Sequence, residues 1–304
     1  MANWTEEDIL ALDRRFAEDG IAFHARPLHA AMELLQGGFS LGLGSNSEVE
    51  KIQATYQRLV PEVDTVWPGM GNGLAASIDR VRPITVAIVF GSAAINVHDA
   101  LGFSTEQEWW EWCRKDRNIS GQSCFSFADV YDLAYGTDDL RGRSIDADQH
   151  WKMVLSNLES AATTLTQNYA TPTITQQICM IAELSMKAAL LYVGTEAKLL
   201  RSRKVGHDHR VLANMLAEAK PHRDDELIAL VVEQLPAYVA SRYGETDKSR
   251  LQLINLLLGV QFVAASTVRR FSRRDLAIGM ETDAYPGPRS RYEPLSTFLS
   301  NQQG

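Results

Sequence analysis

The feature that most constrains the fold is a long apolar helical pattern near the end of the chain, at residues 248–274. Its apolar side chains recur at helical spacing: Leu251, Ile254, Leu257, Leu258, Phe262, Val263 and Val268. Such a helix needs other helices to cover it. Further helical patterns precede it, at residues 146–168, 173–193, 209–218 and 224–243. Together these patterns predict a simple antiparallel helical bundle.

The first half of the chain predicts mostly helical structure of no recognisable class. Thr5 stands before three acidic residues, a pattern that predicts the capped start of a helix. Residues 84–90 alternate as in a strand, yet they are also apolar enough for a buried helix. Residues 118–144 are rich in turn-forming residues and predict an irregular segment.

These patterns predict a mainly α protein with three regions. Residues 1–145 form an N-terminal helical region, residues 146–280 the bundle, and residues 281–304 a loose tail rich in helix-breaking residues. The boundary at residue 145 follows from the turn-rich segment before it.

Composition favours a cytoplasmic protein that needs no metal or other cofactor. The chain has three scattered cysteines, Cys113, Cys124 and Cys179, without the paired spacing of a zinc site. Its first residues are polar and acidic, unlike a secretion signal. The longest apolar stretches, such as residues 256–260, are far too short to span a membrane. No membrane partner is therefore expected.

Charge is unevenly distributed between the two halves. Residues 1–150 contain 12 Lys and Arg against 23 Asp and Glu, whereas residues 151–304 contain 18 against 15. An acidic first half is a poor binder of nucleic acid and suits a protein partner. The mildly basic second half favours local binding of a phosphate.

Several short motifs follow one another along the predicted bundle. Glu183 and Lys187 lie four residues apart on its most apolar helix, a spacing that favours an ion pair. The pair is either solvated at the surface or, if partly buried, a structural clamp. A Gly-His-Asp sequence at residues 206–208 precedes the next helix, where Asp208 is suited to cap it. An Arg-Tyr pair at residues 242–243 precedes the last helix.

In this order the motifs resemble those of HEPN domains, the nucleotide- and RNA-associated helical modules of bacteria and higher eukaryotes. The resemblance covers residues 146–275, under half of the chain. It implies an antiparallel bundle that associates with a nucleotide or RNA and pairs into a homodimer.

The catalytic members of this family are metal-independent ribonucleases that use an Arg and a His a few residues apart. The resemblance therefore makes two pairs candidates for catalysis, Arg201 with His207 and Arg203 with His209, each with five residues between. His would move a proton and Arg would stabilise the charged phosphorane. The residues after the two arginines, Ser202 and Lys204, differ from the Asn, Asp or His usual there.

A cluster of arginines at the end of the last helix is the candidate phosphate site. Arg269 and Arg273 share one face of the predicted helix, as do Arg270 and Arg274. Paired guanidinium groups suit bidentate phosphate binding, and Arg242 is a further candidate ligand. The alternative is that these cations are solvated and favoured by the helix dipole.

Three hypotheses for function follow. The leading one is a non-catalytic or weakly catalytic module that binds a nucleotide or RNA phosphate. The second is a metal-independent endoribonuclease of a toxin or phage-defence system, and the third is a structural dimerisation scaffold. A tryptophan-rich segment adds either a platform for base stacking or a core or partner-facing patch: Trp109, Trp110 and Trp112.

Overall fold

The chain folds mainly into α-helices, as predicted. The computed structural model describes residues 4–36, 47–63, 69–88, 96–167, 172–202, 204–236 and 248–292. It divides into two compact units, Met1–Pro68 and Gly69–Gly304. Within the described ranges, strands occur in a single two-stranded sheet of the second unit.

The described part of the first unit is built from helices α1 (Glu6–Glu18), α2 (Arg26–Leu35) and α3 (Ser47–Leu59). Thr5 caps α1 as predicted, because its hydroxyl accepts from the amide of Asp8 while the Asp8 carboxylate accepts from the amide of Thr5. Asp13 of α1 accepts a hydrogen bond from Arg26 at 3.0 Å and from Tyr56 at 2.6 Å. This carboxylate therefore links the three helices.

The second unit begins with an antiparallel hairpin. Strands β1 (Gly71–Ser77) and β2 (Arg80–Val86) pair so that Gly71 faces Val86. The apolar alternation that began at residue 84 thus belongs to a strand as far as residue 86. The described helices that follow are α4 (Val97–Ala100), α5 (Glu106–Trp112), α6 (Arg117–Leu140), α7 (Ile145–Thr166), α8 (Pro172–Tyr192), α9 (Ala197–Leu200), α10 (His209–Ala219), α11 (Asp225–Gln234), α12 (Arg250–Arg269) and α13 (Leu276–Thr282).

Helix α12 is the central helix of the second unit. It packs against α6, α8 and α11, and its apolar residues belong to the main core together with those of α7 and α8. The sequence suggested no stretch long enough to span a membrane, whereas this whole helix is long and apolar enough to cross one. Of its most apolar window, however, 83% is buried inside the protein. Its apolar side chains are thus covered by the other helices of the second unit.

The segment predicted to be irregular forms α6, the longest helix in the described part of the chain, with 24 residues. Its glycines are positions of close packing rather than turns. A Cβ atom at Gly121 would lie 2.3 Å from the ring of Tyr292, and one at Gly136 would lie 2.3 Å from the side chain of Val268. Because α6 is buried on most sides, it has no single apolar stripe that would reveal a helix.

A buried glutamine joins the hairpin to α12. The Gln261 carboxamide accepts the N–H of Leu74 at 3.0 Å and donates to the carbonyl of Leu74 at 3.3 Å. It also donates to the carbonyl of Ser126 in α6 at 3.0 Å. In an antiparallel pair the N–H and C=O of one residue point to the same side, so those of Leu74 point away from β2. The side-chain amide therefore takes the place of a third strand beside β1.

The sequence suggested a domain boundary at residue 145, but the chain does not divide there. That position lies between α6 and α7, which belong to one compact unit. Leu74 of β1 and Leu133 of α6 share the core of Leu158 and Leu257 from α7 and α12. Because the hairpin and α6 complete the core of the bundle, no boundary separates them from it.

The start of the predicted tail is packed rather than loose. Arg289 pairs with Asp129 of α6 at 2.7 Å, and the ring of Tyr292 lies 5.8 Å from that of Phe125. Both contacts hold the segment after α13 against α6. Residues 293–304 of the predicted tail lie outside the described residues.

Candidate functional site

Helix α8 and the turn that follows it bring Glu183, Lys187 and His207 together. Lys187 Nζ donates to Glu183 Oε1 at 2.7 Å, and the two side chains are only 10% and 8% exposed. The pair is therefore a buried clamp rather than a solvated surface pair. The second oxygen of Glu183 lies 3.0 Å from Nδ1 of His207, whose side chain is 55% exposed. Two motifs that are separate in the sequence thus form one cluster.

The buried carboxylate fixes the orientation of the imidazole. Glu183 Oε1 accepts from Lys187, and Glu183 Oε2 accepts a hydrogen bond from Nδ1–H of His207. In the neutral ring the lone pair then belongs to Nε2. A half-exposed histidine held in this way is able to accept a proton at Nε2.

A tight turn places His207 over the clamp. The amide of Gly206 donates to the carbonyl of Ser202 at 2.7 Å. A Cβ atom at Gly206 would lie only 2.9 Å from that carbonyl oxygen, so the position favours glycine. Asp208 then caps α10 as predicted, because its carboxylate accepts from the amides of Arg210 and Val211.

The same turn carries a group of exposed cations. We call residues 197–210 the basic turn; its exposed basic side chains are Lys198, Arg201, Lys204 and Arg210. In the described part of the chain, no carboxylate lies within 4.0 Å of any of these four cations. Their charges are therefore not neutralised by a described partner. Arg203 falls outside the described residues.

His209 is a structural residue, which corrects its prediction as a catalytic candidate. Its side chain is buried, and Nε2 donates to the carbonyl of Cys179 at 3.1 Å. A carbonyl oxygen only accepts, so this bond fixes the Nε2–H tautomer. Burial lowers the pKa of His209 below its ordinary value of 6.5, which keeps the ring neutral. The described candidates for catalysis that remain exposed are Arg201 and His207.

This burial predicts a pH dependence of stability. Because the pKa of His209 is lowered in the folded protein, the unfolded chain binds a proton that the folded chain does not as the pH falls below 6.5. We expect the free energy of unfolding to decrease as the pH is lowered from about 7.5 to about 5.5. Urea unfolding at both pH values checks this, and His209→Gln, which retains a donor, should flatten the dependence. An equal dependence in both proteins would contradict the assignment.

The predicted arginine cluster does not assemble a phosphate site. Arg269 is fully buried, and its guanidinium donates to Asp132 at 2.7 Å and to Asp129 at 2.6 Å. Burial opposes its charge, but these carboxylates hold the pKa of Arg269 above its ordinary value. Arg270 is buried too, and donates to Asp225 and to the carbonyl of Lys220. Both guanidinium groups are therefore bound inside the protein.

The other members of the predicted cluster lie at the surface or outside the described chain. Arg273 and Arg274 are exposed, and Arg274 Nε lies 2.9 Å from Asp139. Exposed ion pairs of this kind are exchanged readily for solvent or a ligand. Arg242 belongs to residues 237–247, which are not among those described.

Sequence reasoning missed the carboxylates that surround Arg269. Besides Asp129 and Asp132, Asp224 lies 3.8 Å and Asp275 lies 3.7 Å from its guanidinium. Burial alone would raise the pKa of Asp224, but the nearby imidazole of His222, 3.4 Å away, and the charge of Arg269 lower it. A signal was present: position 269 is two turns after Phe262 and continues its buried face.

Comparisons with known proteins identify no relative: no protein-family model, curated protein or solved structure matches the chain.

Proposed function

We propose that this protein binds a nucleotide or an RNA phosphate at the basic turn, as a HEPN-like module. One observation carries the proposal. Exposed cations flank the half-exposed His207, whose ring is held in place by the buried pair of Glu183 and Lys187. Cations that are not neutralised by nearby carboxylates attract phosphate groups, and arginine suits bidentate contact with them.

The charge of Glu183 does not oppose this role. Its carboxylate is 8% exposed and is neutralised by Lys187, so a phosphate outside would meet the positive side chains first. The net charge of the chain is −8, which disfavours binding to nucleic acid over a large surface. The proposed binding site is therefore local. We further propose that the protein is a cytoplasmic homodimer and that its acidic region near the N-terminus binds a protein partner.

Neutralising two cations of the basic turn should weaken RNA binding. We expect Arg201→Gln/Lys204→Gln to bind a fluorescein-labelled single-stranded RNA of mixed sequence about tenfold more weakly than the parent. The slope of log affinity against log salt concentration should fall by about 1.4, because two phosphate contacts are lost. Fluorescence anisotropy over a series of salt concentrations measures both quantities.

A matched control removes two charges from the arginine cluster first predicted. Arg273→Gln/Arg274→Gln changes exposed residues and should leave binding as in the parent. Weaker binding in this variant alone would place the phosphate at the end of α12 instead. If the parent binds neither the labelled RNA nor a labelled adenine nucleotide, the dimerisation scaffold becomes the better hypothesis.

A metal-independent endoribonuclease is the second candidate, and the contact between Glu183 and His207 favours it. A carboxylate that orients an imidazole is a common arrangement for a general base, here acting on the ribose 2′-hydroxyl. Arg201, on the same turn, would stabilise the charged phosphorane. Total RNA and tRNA are incubated with the parent and with His207→Ala, without metal. Cleavage by the parent that a folded His207→Ala lacks would favour the nuclease over simple binding.

A further inference from the structure

A cavity in the second unit lies apart in sequence from the basic turn. It measures about 500 Å³, within the range of small-molecule sites. Helix α5, the start of α6 and the segment after α13 form it. Its lining residues are Glu106, Gln107, Trp109, Trp110, Arg117 and Tyr285.

Aromatic side chains give the cavity flat walls. Trp109 is buried and its indole N–H donates to Ser123, so that the polar atom is already bonded within the protein. The hydroxyl of Tyr285 is likewise hydrogen-bonded to Ser120. Burial raises the pKa of Tyr285 to about 12, and the phenol is therefore neutral. Together with Trp110 these rings offer an uncharged surface on which another aromatic ring can stack.

Polar side chains supply the remaining lining. Glu106, Gln107 and Arg117 are exposed and carry a negative, a neutral and a positive group. Arg117 is the first residue of α6, but the helix amides there are already occupied, because Asp116 accepts from the amides of Asn118 and Ile119. The guanidinium of Arg117 is therefore the group suited to bind an anion.

We infer that this cavity binds a small molecule with a flat aromatic ring, an anionic group and an N–H donor. The ring would stack on the aromatic lining of Trp110 and Tyr285, the anion would pair with Arg117, and the N–H would donate to Glu106 or Gln107. Two kinds of compound share this chemistry. In a nucleoside monophosphate the anion is a phosphate and the N–H belongs to the base. In an aromatic amino acid the anion is the carboxylate and the donor is the ammonium group.

Isothermal titration with two matched pairs of probes tests the site. Adenosine monophosphate is compared with adenosine, and L-tryptophan with tryptamine. One member of each pair carries the anionic group and the other lacks it. We expect one of the two anionic probes to bind, and its partner to bind at least about tenfold more weakly, since a charge-assisted hydrogen bond is lost. The anionic probe that binds shows whether the ligand is a nucleoside monophosphate or an aromatic amino acid.

Two variants tie the binding to the cavity. Arg117→Gln alters an exposed side chain and should weaken binding of the anionic probe about tenfold. It should leave binding of the partner that lacks the anionic group unaffected. Trp110→Ala should weaken both members of the pair about tenfold, because stacking is lost. Arg141→Gln, at the other end of α6, is the control and should bind as the parent does.

Two results would overturn the inference. The first is the absence of binding by every probe at about millimolar concentration. The second is binding that Arg117→Gln and Trp110→Ala leave unchanged, which would place the ligand elsewhere. Because these variants lie outside the basic turn, their effect on small molecules is separate from any effect on RNA.

Discussion

Replacing Arg269 with methionine should lower the free energy of unfolding by about 3–5 kcal/mol. The guanidinium is fully buried and pairs with Asp129 and Asp132, which are also buried. Methionine fills a similar volume without the charge, and Asp132 would lose the cation at 2.7 Å. Urea unfolding followed by tryptophan fluorescence measures the change, provided that the slope of the transition is compared as well.

Arg274→Gln is the control for this prediction. Its pair with Asp139 is exposed on both sides, so its loss should change stability by no more than about 1 kcal/mol. If Arg269→Met unfolded like the parent but no longer bound RNA, the guanidinium would be a ligand-binding group rather than a structural one. The first hypothesis for the arginine cluster would then return.

Replacing Gln261 with methionine should destabilise the second unit by about 2–4 kcal/mol. The carboxamide makes hydrogen bonds to the N–H and carbonyl of Leu74 and to the carbonyl of Ser126. Methionine has nearly the same shape but no amide, so these buried backbone groups would lose their partner without the creation of a large cavity. Urea unfolding at neutral pH gives the magnitude.

Gln149→Met is a suitable control, because Gln149 is exposed on α7 of the same unit. It should leave stability unchanged within about 0.5 kcal/mol. Hydrogen exchange adds a local measurement: the amide of Leu74 should exchange faster in Gln261→Met than in the parent. Unchanged protection of that amide would mean that the glutamine does not hold the strand edge.

The features that the sequence predicted correctly depend on neighbouring residues. The Thr5 cap and the Asp208 cap each join groups two or three residues apart. The pair of Glu183 and Lys187 spans one helical turn. The pattern also predicted α12, because its apolar residues recur with the period of a helix. For the candidate site, the sequence predicted the pair of Glu183 and Lys187 but not the contact of Glu183 with His207.

The features that the sequence did not reveal depend on distant partners. Asp129 and Asp132 suggest a turn when read locally, yet they lie in the middle of α6 because Arg269 neutralises them from 140 and 137 residues away. For the same reason the arginine cluster suggested an exposed phosphate site. Local pattern gives the identity of a charge, but burial and pairing depend on tertiary packing.

The amide that Gln261 provides to β1 has a consequence for the synthesis of the chain. Leu74 precedes Gln261 by 187 residues. At roughly 5–20 residues per second, a ribosome needs roughly 10–40 s to make the intervening segment. For that time the outer edge of β1 lacks its natural partner and can pair with a strand of another nascent chain. The risk of aggregation is therefore greatest while the protein is being made, and it ends when α12 docks.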